Sequence, residues 1–105
     1  MAKVSFRLGP CDDTGLVSLN AKVVLTTKVN EEDSWQGDLP DGDHRVRVRL
    51  SNEGGWQWRM TFSCVVDGIE VQRHGVSGNS LGYNGMIPEA EKTFVLRIRG
   101  GKLEP

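Results

Sequence analysis

The chain has 105 residues, a hydrophobic fraction of 37% and a formal net charge of −1. Its length is close to the commonest domain size, so we expect a single all-β domain over residues 1–105. The near balance of 13 basic and 14 acidic side chains argues against a whole-molecule attraction to nucleic acid or to an anionic membrane.

The N-terminus and the apolar runs bear on location. No apolar run approaches the roughly 18 residues that a membrane-spanning helix needs, and the first residues lack a secretory signal pattern. We therefore expect a cytoplasmic protein if Met1 is the native start. A domain excised from a secreted protein would leave the compartment unknown.

Alternation of apolar and polar residues with a period of two runs through most of the chain and is typical of half-buried strands. Residues 3–8 form the first such run, which ends at Gly9-Pro10, and residues 17–29 predict two strands or one bent strand. The acidic segment 30–43 is predicted as a loop or an irregular edge.

Two turns organise the middle of the chain. Asp67-Gly68 lies between two alternating runs and predicts a type I′ hairpin, which would pair Cys64 with Val71. A second turn at 51–55 would pair 44–50 with 56–62. These pairings predict a three-stranded antiparallel meander.

The last third of the chain combines an irregular stretch with a strand. Residues 75–88 are rich in glycine and predict a long loop, a common place for function. Residues 92–99 predict a closing strand. About seven short strands without a helix indicate an antiparallel β-sandwich, immunoglobulin-like or jelly-roll-like, with a partly open barrel as the alternative.

The sequence HRVRVRL, residues 44–50, sets three arginines on one side of a single strand. In the predicted meander Arg47 lies opposite Arg59, an unfavourable pairing of like charges. We interpret Arg45, Arg47, Arg49 and Arg59 as a candidate surface for an anionic partner, because the guanidinium fork suits carboxylates and sulfates. A solvated outer face neutralised by loop carboxylates is the alternative. Arg97 and Arg99 either join this face or cover the other sheet.

Aromatic residues raise a second possibility, carbohydrate binding. Trp35 lies in a polar segment, and Tyr83 is flanked by amides, so both are candidate platforms for a sugar ring. Trp56 joins them if its strand end splays from the core. The candidate sugar-contacting residues are Trp35, Trp56, Asn79, Tyr83 and Asn84.

Residues for catalysis or metal binding are few. His44 is predicted to point inward and His74 outward, so a shared site is not expected. We expect Cys11 and Cys64 to be free thiols, with a single bridge as the alternative. Weak calcium candidates are Asp38, Asp41 and Asp43, but the spacing of a calcium loop is absent.

The sequence therefore predicts a non-catalytic binding module without a cofactor. The first interpretation is a protein-interaction or accessory domain that uses the arginine-rich sheet face and the 75–88 loop. The alternatives are a carbohydrate-binding domain and a structural subunit that oligomerises through an edge strand. The expected partner is a protein or a glycan of anionic character. Nucleic acid is disfavoured because no outward aromatic is interleaved with the arginines.

Overall fold

The computed structural model describes residues 1–11, 14–28, 31–52, 57–79 and 85–104. Within these ranges the chain is built from strands, with one short 3-10 turn at Pro88–Ala90. No helix in the described ranges is long and apolar enough to cross a membrane. The strands are β1 (Ala2–Leu8), β2 (Thr14–Leu19), β3 (Lys22–Thr27), β4 (Asp33–Leu39), β5 (Gly42–Asn52), β6 (Gln57–Val66), β7 (Ile69–Asn79), β8 (Gly85–Met86), β9 (Lys92–Arg99) and β10 (Lys102–Leu103).

The strands form two antiparallel sheets that pack face to face. One sheet has four strands in the order β4-β1-β6-β7, and the other has the order β10-β9-β5-β2-β3 with β8 paired to β5. The sheets are not closed into a barrel. The β-sandwich prediction is therefore confirmed, and the barrel alternative is wrong.

The core lies between the two inner faces and follows the alternation of the sequence. Strands β1, β5 and β6 each contribute every second residue, and burying one such side chain contributes about 1.5–3 kcal/mol. Fully buried examples from both sheets are Val4, Phe6, Leu8, Val46, Val48, Leu50, Met60 and Phe62.

Within the described ranges, three hairpins turn on two residues each. Asn20-Ala21 joins β2 to β3, Asp67-Gly68 joins β6 to β7, and Gly100-Gly101 joins β9 to β10; all six residues have positive φ. Such turns match the right-handed twist of the flanking strands. The hairpin predicted at Asp67-Gly68 is confirmed, whereas the short strand β10 was not predicted.

The predicted pairing of 44–50 with 56–62 is wrong. Strand β5 pairs with β2 and β9, whereas β6 pairs with β1 and β7 in the opposite sheet. Alternation identifies which side chains point inward, but it fits equally well whether two successive strands are neighbours or face each other across the core. The chain here changes sheet, so the three-stranded meander reduces to the β6–β7 hairpin.

The register of that hairpin also differs from the prediction. An irregularity between Cys64 and Val65 places Cys64 opposite Gln72 rather than Val71. It also places His74 opposite the buried Phe62, so the prediction that His74 points outward is wrong. A bulge shifts every later residue of its strand by one position and therefore exchanges the two faces.

Two predicted loops are largely strands. Residues 33–39 of the acidic segment form β4, which pairs with β1 at the edge of the four-stranded sheet. Residues 75–79 continue β7, and residues 85–86 form β8. The rest of the predicted 75–88 loop includes residues 80–84, which lie outside the described residues.

Candidate partner-binding face

The outer surface of the six-stranded sheet carries most of the arginines. Along β5 the valines between the arginines are buried, so the arginines project outward. Strand β9 is the neighbour of β5, and its exposed arginines alternate with Leu96 and Ile98 of the core. We call this surface the arginine face; its five arginines are Arg45, Arg47, Arg49, Arg97 and Arg99.

Arg59 does not belong to this face. It lies on β6 opposite Ser77, on the outer surface of the other sheet. The predicted pairing of Arg47 with Arg59 is therefore wrong, because Arg47 lies between Ser18 of β2 and Thr93 of β9. The open question about Arg97 and Arg99 is settled: both are on the face that carries the β5 arginines.

Carboxylates on or beside the same sheet neutralise part of the face. Arg47 forms an ion pair with Glu91, with Arg47 Nε and Glu91 Oε1 2.5 Å apart. Asp43 Oδ1 accepts a hydrogen bond of 3.1 Å from Arg99, and Asp43 Oδ2 lies 4.0 Å from Nε of Arg97. The segment 31–33 contributes in another place, since Glu32 pairs with Arg7 of the four-stranded sheet.

The face nevertheless keeps an excess of positive charge. With Lys102, the described residues of the face comprise six cations against the carboxylates of Asp41, Asp43, Glu91 and Glu104, an excess of two, although the whole chain has a net charge of −1. Among the described residues, neither Arg45 nor Arg49 forms an ion pair. The Nε atom of Arg49 is buried and has no hydrogen-bond partner in the part of the chain that the structure describes.

A shallow depression of about 390 Å³ lies around Arg45. Its lining is Asn20, Ala21, Asp43, Arg45, Val95 and Arg97. Arg45 and Val95 are opposite each other in the register of β5 with β9, and Val95 is 42% exposed. The depression therefore combines two guanidinium groups with an accessible apolar side chain.

One wall of the depression is fixed by a chain of hydrogen bonds. Oδ1 of Asn20 accepts from the backbone N–H of Arg45 at 2.9 Å, and Nδ2 of Asn20 donates to Nδ1 of His44 at 3.0 Å. Nε2 of His44 donates in turn to the carbonyl of Pro40 at 2.8 Å. These partners specify the neutral tautomer of His44 with its proton on Nε2. His44 points inward, as predicted, and acts as a structural brace.

Apolar side chains accompany the arginines beyond the depression. Val23 of β3 is 55% exposed, and it pairs with Ser18, the neighbour of Arg47. Leu16 is half-buried opposite Arg49. Arginine together with accessible apolar surface is typical of protein interfaces. Val95 was not among the predicted site residues. It is nevertheless the one apolar residue at an outward position of the sequence KTFVLRIR, residues 92–99.

Of the aromatic candidates for sugar binding, Trp35 is the one that lies in the described part of the chain. Trp35 is half-buried on β4 and stacks on Phe6, with ring centroids 5.1 Å apart and an angle of 22° between the planes. A Cβ atom on Gly37 would lie 2.6 Å from the indole, so the backbone closes over the same ring. Asn79 is exposed at the end of β7. The remaining candidates Trp56, Tyr83 and Asn84 lie outside the described residues.

Asp38 is exposed on β4, whereas the other acidic, thiol and imidazole candidates have structural partners or are buried. The two carboxylate oxygens of Asp41 accept from the N–H groups of Gly100 and Gly101 at 2.8 and 2.9 Å, which lowers the pKa of Asp41. Nε2 of His74 donates to the carbonyl of Ala90 at 2.9 Å. The described residues contain no group of three potential metal ligands.

Both cysteines are buried, and both are thiols rather than halves of a disulfide, as predicted. Burial raises the pKa of the Cys64 thiol to about 12. A buried thiol of this kind is unreactive, because the thiolate is the nucleophile.

Comparisons with protein-family models, with curated proteins and with solved structures gave no match for this chain.

Proposed function

We propose that the protein is a non-catalytic interaction module that binds an acidic protein partner through the arginine face. The observation that carries the proposal is the position of Arg45. This side chain has no ion-pair partner among the described residues, and it borders an open depression together with Arg97 and the exposed Val95. A carboxylate from a partner would give Arg45 the charge-assisted hydrogen bonds that no described residue provides.

The apolar component of the face favours a protein over a glycan or nucleic acid. Val95 and Val23 are large exposed hydrophobic residues on this surface, and a protein partner buries such side chains with a gain in free energy. A sulfated glycan would use the arginines but not the valines. A neutral glycan would need an aromatic platform, and Trp35 is stacked on Phe6.

The structural roles of the two histidines and of the Cys64 thiol support the proposal that the module is non-catalytic. His44 and His74 hold backbone carbonyls, and Cys64 is buried with a raised pKa. These are the residue types that most often act as acids, bases or nucleophiles. Here their hydrogen bonds and burial contribute to the fold.

Binding of poly-L-glutamate tests the proposal. We expect binding at about 0.01 M salt and weaker binding at about 0.15 M, where the Debye length falls from about 30 to about 8 Å. The double variant Arg45→Gln/Arg97→Gln should bind much more weakly. Its matched control is Arg7→Gln/Arg73→Gln, which changes the net charge equally but on the other sheet. Equal loss in both variants would contradict a specific face, and tighter binding of heparin than of polyglutamate would contradict a protein partner.

A further inference from the structure

The side of the sandwich between β7 and β9 leaves part of the core accessible. A groove of about 310 Å³ separates the two strands. Val71 of β7, Phe94 of β9 and Leu103 of β10 line it, and all three are half-buried side chains that pack against the core. Phe94 also contacts Phe62, with ring centroids 6.1 Å apart. The groove thus has an apolar floor formed by the rim of the core.

One wall of this groove is a free strand edge. Strand β10 pairs with β9 only at Ile98 and Arg99, and the N–H of Glu104 adds one further bond to the carbonyl of Arg97. On that side, no described strand pairs with residues 92–96 of β9. An added strand would continue the line of β10 along β9.

The alternation of backbone bonds shows which groups face the open edge. In an antiparallel ladder every second residue directs its N–H and C=O to the same neighbour. Because Arg99 and Arg97 direct theirs toward β10, Val95 and Thr93 direct theirs to the same, open side. The N–H and C=O groups of these two residues are therefore available to another strand, while Phe94 and Leu96 direct theirs to β5.

We propose that the partner docks by adding an extended segment to β9 as an antiparallel strand, with apolar side chains in the groove and acidic side chains beside the arginine face. Residues opposite Leu96 and Phe94 would point inward toward Val71 and the core rim. A residue opposite Val95 would point outward, diagonal to Arg97. Charge complementarity selects an acidic residue at that outward position, so the expected segment alternates apolar and acidic residues.

This inference rests on the proposed function, since it assigns the same acidic partner a binding mode. Strand addition obtains its affinity from main-chain hydrogen bonds and its specificity from alternate side-chain pockets. The free edge, the apolar groove and the adjacent guanidinium groups supply these elements in one place.

The test uses a soluble peptide of alternating glutamate and valine, with a peptide of the same composition in block order as its control. We expect the alternating peptide to bind and to slow amide hydrogen exchange at Thr93 and Val95, because these N–H groups become bonded. N-methylation of the central peptide residues should weaken binding by about tenfold or more, the effect of one or two lost backbone bonds. Val95→Pro should weaken it similarly, since this N–H makes no bond to β5.

The outcomes separate this inference from the proposed function. Peptide binding that depends on Arg45 and Arg97 but leaves exchange at Thr93 and Val95 unchanged would overturn strand addition and leave the arginine face intact. Slower amide exchange at Thr93 and Val95 that is unaffected by Arg45→Gln/Arg97→Gln would support strand addition to β9. It would contradict binding through the arginine face. Concentration-dependent protection without peptide would show that a second copy occupies the edge, which would also overturn the inference, as would equal binding of the block-order peptide.

Discussion

The guanidinium of Arg47 is paired with the carboxylate of Glu91, and its Cα partners are Thr93 and Ser18 rather than another arginine. Arg59 lies on the other sheet, so replacing either arginine removes no direct interaction between Arg47 and Arg59. Exposed ion pairs contribute about 0.2–1 kcal/mol, and Arg47→Thr should lower the free energy of unfolding by an amount in that range.

A double-mutant cycle on Arg47 and Arg59 checks this arrangement. We expect the effects of Arg47→Thr and Arg59→Thr on urea unfolding to add within about 0.3–0.5 kcal/mol, as they do for distant sites. A double variant clearly less stable than the sum of the two single effects predicts would indicate repulsion between the arginines, because either single replacement already relieves it. That result would contradict the observed sheet assignment.

The turn Asn20-Ala21 offers two substitutions with opposite expected effects. Ala21 has a φ of 70°, a left-handed conformation that glycine adopts more easily. Ala21→Gly should therefore raise the free energy of unfolding by about 0.5–1 kcal/mol, after the loss of chain entropy is included.

Asn20→Gly is the informative companion in the same turn. Asn20 also has a positive φ, but its side chain bonds both His44 and the N–H of Arg45. Its replacement leaves Nδ1 of the buried His44 without a donor, and we expect a loss of about 1–3 kcal/mol. If urea denaturation showed both glycine variants to be stabilised, the hydrogen-bonded brace would contribute nothing.

Asp41 gives the fold a dependence on pH. Its carboxylate accepts from Gly100 and Gly101, and these bonds lower its pKa from the ordinary value of 3.8. Because the folded state binds this proton less readily than the unfolded state, the stabilisation is present above pH 3.8 and is lost as the pH falls through the lower folded pKa.

Melting temperatures measured from neutral to strongly acid pH test this linkage. Asp41→Asn should melt lower than the wild type at neutral pH, and the difference should shrink in acid. Asp38→Asn, an exposed carboxylate on β4, is the control and should show little change. A difference that persists undiminished in acid would contradict the role of the carboxylate charge.

The buried thiols predict an all-or-none pattern of reactivity. Burial raises the pKa of Cys64 to about 12, and Cys11 is also fully buried. A chromogenic disulfide reagent should therefore label neither cysteine in the native protein and both after unfolding. Cys64→Ser should destabilise the fold by about 1–3 kcal/mol, since it buries a hydroxyl in an apolar site. Rapid native labelling at Cys64 would show that the core opens there.

Alternation predicted the inward residues better than it predicted neighbours. Val46, Val48, Met60 and Phe62 occupy the apolar positions of the alternating runs 44–50 and 56–62, and all four are buried. The sheet to which each strand belongs depends on long-range packing, and turn residues at 51–55 do not encode it. A polar, glycine-rich connection can close a hairpin between neighbouring strands, and it can equally carry the chain from one sheet to the other.

The candidate site shows the same division. The period of two predicted that Arg45, Arg47 and Arg49 point outward. It did not predict which other residues lie on the same face of the sheet. Arg59 was assigned to the face only because β6 was placed beside β5. The alternation in β9 was enough to show that Val95 points outward. Its position opposite Arg45 is a relationship between distant segments, and no local pattern reveals it.

The most direct test of the arginine face is a map of backbone amide chemical shifts during titration with poly-L-glutamate. We expect the shifts to concentrate on β5 and β9, with the largest changes around Arg45, Val95 and Arg97, and to shrink as salt is added. Shifts concentrated instead around Arg7, Arg59 and Arg73 would place anion binding on the four-stranded sheet and contradict the account. The same conclusion would follow if no amide moved at low salt.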